Sequence, residues 1–543
     1  MVRNNWLKTD KVEKWIFLLM TGINLVPVLI FKFFPTMDGA AHLYNSNLIN
    51  CLLFESNPLL NSFFDFNPVP VPNWTGHLFL SVFNYFLPAF IAEKALLIFY
   101  FVGLPYAFRG LINTINPENR LLSYLIFPFT YSFLLLLGFY NFSIAIVLML
   151  ITLQCWIRES DRWPISIRKI ILLSILMVFT YFSHVVVFAI LLLLIGIDLF
   201  FKEILLARQK SNGLNPFFKK TGILIGVSFI PIVLLLFFII RPSVGSPTFL
   251  ERYELIAWLK KIRPIIAYNI EVEEVYTTKI FYVITGLLVI VGYTRINQVI
   301  QTVVSSPKSK FFSILKQNIF SSESWIVAAL LVLALYFILP DSNGSAGFVS
   351  IRFGLLFFII LLIWITSQTI PKWLVITAVV VVLFVHLKRE RFYLSVIKDL
   401  NTIAVDCYSA SKQIAPNSIV LPVNYSNNWL VGHFSNYLGI DKPMIILENY
   451  ECGSGLFPLK WKESFIPNTM LGNLTANQLP CLQWKSNIEN SMAKIDYVFV
   501  LGNLDMKTDS CSTVLKDAIF ENYELICSNN NYQLFKENNR ATQ

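Results

Sequence analysis

Apolar runs long enough to cross a bilayer recur from residue 15 to about residue 387, and then the pattern stops. A hydrocarbon core about 30 Å thick takes about 20 apolar residues per helix, so such a chain must fold as a bundle of membrane helices. Of the 543 residues, 55% are hydrophobic and 14% charged, whereas a soluble domain is about a quarter charged. The first run is flanked by Lys8, Lys11 and Lys14 and is followed by no small-residue cleavage site, which predicts a retained helix. The net charge of +10 does not point to nucleic acid, because much of the excess lies in short loops where Lys and Arg set orientation.

Arg3, Lys8, Lys11 and Lys14 predict a cytoplasmic N-terminus. A long first external loop, 35–74, follows and ends in the proline-punctuated Asn67-Pro68-Val69-Pro70-Val71-Pro72-Asn73-Trp74. The next apolar stretch, 77–90, is short for a span. Either it crosses the membrane and 169–201 is one helix, or it lies in the interface and 169–201 is two helices turning near Ser183-His184. The second arrangement puts Arg109, Arg120, Arg158, Arg162, Arg168 and Lys169 inside, which the positive-inside rule favours. Spans are then expected near 15–34, 95–111, 121–137, 142–157, 170–182, 185–201, 221–240, 280–293, 325–339, 351–367 and 373–387, about eleven in all. Within 241–278, Glu251 to Lys261 is expected to form an interfacial helix.

After Lys388-Arg389-Glu390-Arg391 the composition changes. Short β-branched runs at 418–422, 443–447, 496–501, 524–527 and 532–535 read as strands, and 396–414 and 513–520 as helices. The expected architecture is a polytopic α-helical membrane domain, 1–390, with a soluble extracytoplasmic α/β domain, 391–543. Cys407, Cys452, Cys481, Cys511 and Cys527 fall in this tail, so disulfides are possible there.

The polar residues with most chemical promise sit at one end of the spans. Pro35-Thr36-Met37-Asp38-Gly39-Ala40-Ala41-His42 directly follows the first span. Spacing of i and i+4 puts Asp38 and His42 on one helix face. A carboxylate near an apolar wall can act as a general base, because burial raises its pKa toward neutrality. The alternative is a plain helix cap, with Asp38 accepting from the next turn. His77 and His184 also map to the outer membrane face under the favoured topology, as do Lys94, Arg241 and Arg352. Arg352 is the best phosphate ligand, since a guanidinium holds phosphate bidentately, against a reading as a snorkelling interfacial residue. His184 reads equally as a hydrogen-bonded core residue, and His77 as a turn residue. Asp38, His42 and His77 are a possible divalent metal set with no further carboxylate nearby in sequence; otherwise no cofactor is expected. In the tail, Gly432-His433-Phe434-Ser435-Asn436-Tyr437 and Glu448-Asn449-Tyr450-Glu451 are rich in groups that suit carbohydrate or any surface loop.

This organisation resembles the GT-C superfamily of membrane glycosyltransferases. Those proteins have many spans, an acidic residue in the first external loop and often a C-terminal external domain. The Asp38-Gly39-Ala40-Ala41-His42 form also looks like that of uncharacterised bacterial members. The resemblance implies a polyprenyl-phosphate-linked sugar donor and gives Asp38 the role of base or acceptor-orienting residue. The chain departs from common forms in lacking an Asp-Glu pair after the first span and an Asp-x-Asp motif.

The leading expectation is an inverting transferase at the outer face. Asp38 and His42 would do the chemistry, and Arg352, His77, Lys94, His184 and Arg241 would line the substrate site. The partners are a lipid-linked sugar donor, an unidentified acceptor (glycan, lipid or protein) and membrane lipids. A transporter or flippase is the alternative, although that class usually carries repeats and midplane charges. A non-catalytic scaffold is the third reading.

Overall fold

A computed structural model describes residues 2–162, 164–205, 215–240, 245–304, 321–342, 344, 347–462, 495–502 and 510–538. The chain divides into two compact units that interleave along the sequence. The first comprises Met1–Asn24, Tyr100–Leu134 and Phe142–Phe392, and the second Leu25–Phe99, Leu135–Asn141 and Tyr393–Gln543. Among the described residues, seven helices are long and apolar enough to cross a membrane, and Glu323–Ile338 is a shorter apolar helix. This is an integral membrane protein.

Two departures from the expected spans have local causes. The 121–137 segment is not an α-helix: Pro117–Phe129 winds as a 3-10 helix, and a short α-helix follows at Phe133–Leu136. Pro117 and Pro128 have no N–H to give an α ladder. The carbonyls of Pro128 and Tyr131 accept instead from Arg389, at 2.9 and 3.3 Å. The same arginine explains the second departure. The last span and the first tail helix are one continuous helix, Lys372–Ala410, running straight through Lys388-Arg389-Glu390-Arg391. Arg389 is fully buried and also donates to the Ile265 carbonyl, so its charge is satisfied inside the protein. Thr75–Phe86 is a separate 12-residue helix; at 1.5 Å per residue it is about 18 Å long, too short to span, in keeping with the favoured arrangement in which 77–90 does not cross. The following helix, Ala89–Ile115, is longer than the 95–111 expected. The 169–201 run does break, into Ile167–Ser183 and Val185–Leu199, with His184 extended between them. Arg252–Lys261 is helical.

In the second unit, five strands form a mixed sheet: β2 (Ile419–Asn424), β3 (Ile445–Ile446), β5 (Tyr497–Leu501), β6 (Tyr523–Ser528) and β7 (Tyr532–Glu537). Their order is β3-β2-β5-β7-β6, parallel across β3, β2 and β5, antiparallel beyond. β5 is buried throughout and β2 in all but its last residue, which is why both read as unbroken apolar runs. A second, two-stranded sheet pairs β1 (Phe64–Phe66) of the first loop with β4 (Leu459–Trp461). Cys407, Cys452 and Cys527 are free thiols, contrary to the possibility of disulfides at those positions; Cys481 and the Cys511 side chain lie outside the described residues.

Candidate active site

The helix Gly39–Asn50 is buried along nearly its whole length although it is rich in polar residues. Its polar face is spent on the C-terminal segment of the same unit. Tyr44 donates to the Met444 carbonyl at 2.8 Å and accepts from the Ile446 N–H at 3.0 Å. Asn45 and Asn449 exchange side-chain amide bonds at 3.0 and 2.8 Å, and Asn47 donates to the Gly439 and Lys442 carbonyls. These bonds fix the start of the helix, and with it Asp38.

Asp38 occupies the N-cap position but does not cap. Its backbone is helical, φ −92° and ψ −8°, and its side chain makes no cap bond. Thr36 takes that role, accepting the Gly39 N–H at 3.1 Å. The Asp38 carboxylate is thereby left for other work. From behind, the Asp38 N–H donates to the Leu137 carbonyl at 3.0 Å and the Met37 N–H to Leu136 at 2.9 Å. The next residue, Gly138, has φ +89°, and a Cβ there would lie 2.7 Å from the Asp38 Cβ and N. Its carbonyl accepts from His42 Nε2 at 2.8 Å.

In front of Asp38 stands His433, whose Nε2 is 3.6 Å from Asp38 Oδ1. The other ring nitrogen pairs with Glu448 Oε1. Glu448 Oε2 accepts from Ser435 at 3.1 Å and Asn436 at 2.7 Å, and Tyr450 stacks on the His433 ring with centroids 4.4 Å apart. Burial pushes the Asp38 carboxyl up, and His433 and His42 pull it back, leaving it at about 6. Burial opposes charge on His433, but Glu448 and then Asp38 overcome it and raise the imidazole to about 9. Asp38 is therefore a carboxylate of near-neutral pKa facing an imidazolium held by a second carboxylate, the tuning expected of a general base.

These directions set a pH dependence. A reaction needing ionised Asp38 gains rate as pH rises through about 6. One needing cationic His433 loses rate as pH rises through about 9. The raised His433 value also stabilises the fold fully below about 6.5, and that contribution disappears as pH climbs through about 9. Glu448→Gln is expected to move the alkaline limb of the rate profile downward while leaving the acid limb near 6; an unmoved alkaline limb would separate it from His433.

A second cluster lies beside the first. His42 Nδ1 is 2.5 Å from Glu451 Oε1, and His77 Nε2 is 2.7 Å from Glu451 Oε2. Burial favours a neutral Glu451, yet His77 and His42 hold its carboxyl down at about 2. A third chain of bonds runs from Thr36, which donates to Tyr140 at 2.9 Å, to Glu93, which accepts from Tyr140 at 2.8 Å.

The sequence matches no known protein family, and no curated protein matches it. Solved structures do match. ArnT from Cupriavidus metallidurans, bound to undecaprenyl phosphate, aligns over 97% of this chain and 98% of its own at 10% identity, with a TM-score of 0.51. The fold is similar to that of ArnT along nearly the whole of both chains. The archaeal oligosaccharyltransferase AglB from Archaeoglobus fulgidus, in complex with an inhibitory peptide and a dolichol-phosphate, aligns over 98% of this chain and 75% of its own at 11% identity, with a TM-score of 0.46. At 10% identity the likeness to ArnT concerns the fold alone and transfers no residue roles.

The candidate residues named from sequence fall in both units. Asp38, His42, His77 and Lys94 belong to the second unit, and His184 and Arg352 to the first. Arg241 lies outside the described residues. Lys94 donates to the Leu29 carbonyl at 3.3 Å, in the last turn of the first helix. His184 is a buried helix-break residue, and Arg352, on the helix Val349–Ser367, is its electrostatic neighbour. His77 is neither a cap nor an exposed turn residue: it is buried, with Nδ1 bonded to the Asn73 carbonyl at 3.1 Å. The carboxylate beside His42 and His77 is Glu451, more than 370 positions from His77, so a metal set built from nearby sequence lacked its acid. His433, Glu448 and Glu451 come from the two tail segments whose composition suited carbohydrate or a surface loop. Nothing local in those segments signals that they face Asp38.

Proposed function

We propose that this protein is a membrane glycosyltransferase that moves a sugar from a polyprenyl-phosphate donor to an acceptor hydroxyl, with Asp38 as general base. The observation that carries the reading is Asp38 itself: buried, 3.6 Å from His433 and tuned to about 6 within a fold similar to that of ArnT. Asp38 takes the acceptor hydroxyl proton as the acceptor oxygen attacks the anomeric carbon. The bond from that carbon to the phosphate oxygen breaks, and polyprenyl phosphate leaves as an anion that needs no protonation, so one base suffices. A single displacement inverts the anomeric centre. His433 keeps Asp38 ionised near neutral pH, Glu448 keeps His433 charged, and His42 acts on Asp38 through space. Arg352 is assigned the donor phosphate on the chemistry of its guanidinium, and Arg352→Ala should raise the KM for donor more than it lowers kcat. The polybasic loops orient the chain so that transfer occurs on the outer face.

The test uses purified protein in nanodiscs and a total lipid extract, with mass spectrometry following polyprenyl-phosphate sugars. Loss of one donor species with matching release of polyprenyl phosphate is the expected result. Donor pools that stay constant with every class of acceptor supplied would overturn the reading.

A further inference from the structure

The two histidines of the second cluster are oriented by the backbone. A carbonyl oxygen can only accept, so His42 carries a proton on Nε2, which donates to Gly138, and His77 carries one on Nδ1, which donates to Asn73. Each ring then aims its other nitrogen at the same carboxylate. The rings stand edge to face with centroids 4.9 Å apart. His42 Nδ1, His77 Nε2 and one Glu451 oxygen all lie within 4.8 Å of one another. His42 Nδ1 stands 2.5 Å from Glu451 Oε1 and His77 Nε2 2.7 Å from Glu451 Oε2, and all three side chains are buried. Two imidazoles and a carboxylate converging this closely inside the protein offer three ligand atoms to one cation. Histidines whose second nitrogen is anchored on a backbone carbonyl are the usual orientation of metal ligands.

We infer that His42, His77 and Glu451 form a site for a zinc-class divalent cation that clasps the first loop to the C-terminal segment of the same unit. Two imidazoles with one carboxylate suit zinc and its transition-metal neighbours and disfavour magnesium and calcium, which prefer all-oxygen ligands. Ligand atoms about 2.1 Å from a tetrahedral zinc ion sit about 3.4 Å apart, so the cluster admits the ion by opening by about 1 Å. Three protein ligands leave one coordination position for water. The clasp joins the helices Gly39–Asn50 and Thr75–Phe86 to the turn Tyr450–Ser454, and Tyr450 of that turn stacks on His433. The site thus braces the residues that face Asp38. The inference does not depend on the transferase reading, because its readouts are metal content and unfolding temperature.

The experiment measures metal in full-length protein purified in detergent, then zinc rebinding by calorimetry after removal with a chelator. The expected result is about one zinc per chain, a rise of Tm by several degrees on adding Zn2+ to the metal-free protein, and no such rise with Mg2+. His77→Ala and Glu451→Gln should lose the bound zinc, and His433→Ala should keep it. Should those variants fail to fold, X-ray absorption of the wild-type zinc protein reads the ligands directly, with two imidazoles and one carboxylate expected. Wild-type protein that carries no metal and binds no Zn2+ would overturn the inference and leave protons alone between these groups. Zinc retained in both ligand variants would overturn it equally.

Discussion

Asp38→Asn is expected to lower kcat for sugar transfer by about a hundred- to ten-thousand-fold, the usual worth of a positioned general base, in a protein that stays folded. The substitution preserves shape, and the helix loses nothing at its start, because Thr36 and not Asp38 holds the Gly39 N–H. The amide cannot take the acceptor proton. It also removes the anion facing His433, so the His433 value should fall from about 9 toward its ordinary range. Tm and the elution profile should match wild type while turnover collapses. Wild-type turnover in this variant would remove Asp38 from the chemistry.

Gly138→Ala should be nearly as damaging by a different route. At φ +89° an alanine is strained, and its Cβ would press on the Asp38 Cβ and N at 2.7 Å and on Cα at 2.9 Å. The neighbour is backbone and cannot swing aside. Overpacking of this kind costs about 1–3 kcal/mol, with about 1–2 kcal/mol more for the left-handed conformation. The chain relieves it by moving Asp38 and the Gly138 carbonyl that holds His42. A shift of about 1 Å at a reacting group can cost about a hundredfold in rate, so activity should fall at least that far and Tm by several degrees. Gly196→Ala is the matched control, since a Cβ there meets nothing within 4 Å. Equal Tm and activity for the two variants would show that Gly138 does not shape the site.

The bundle of apolar helices is legible in the sequence because hydropathy over a membrane span depends on composition, which survives ignorance of tertiary contacts. The break at His184 is legible from charge parity alone, and the five strands of the mixed sheet appear as the β-branched runs that form them, whereas β4 does not. Charge misleads at Arg389 and Glu390. They read as the end of a membrane helix, yet Arg389 is buried on carbonyls of Pro128, Tyr131 and Ile265, and the helix continues to Ala410. The 3-10 turn at Pro117–Phe129 hides for the same reason, since apolar content does not distinguish it from an α-helix.

The site is half legible. Asp38, His42 and His77 lie in one loop region, and a carboxylate beside a span is conspicuous. Their partners His433, Glu448 and Glu451 arrive through contacts spanning hundreds of residues, and their segments carry no periodicity or spacing that names a partner. Tyr44, Asn45 and Asn47 gave the missing hint: polar residues on a helix that emerges from a membrane must be paired once buried, and the tail is what pairs them.

The most direct test of the central claim is an experimental structure in nanodiscs with undecaprenyl phosphate bound, read as the distance from the lipid phosphate to the Asp38 carboxylate. A donor sugar must fit between the two, so a phosphate about 5–15 Å from Asp38, held by a guanidinium and open to an acceptor hydroxyl, is the predicted result. A phosphate bound out of reach of Asp38, with the carboxylate sealed against the acceptor side, would contradict the transferase account.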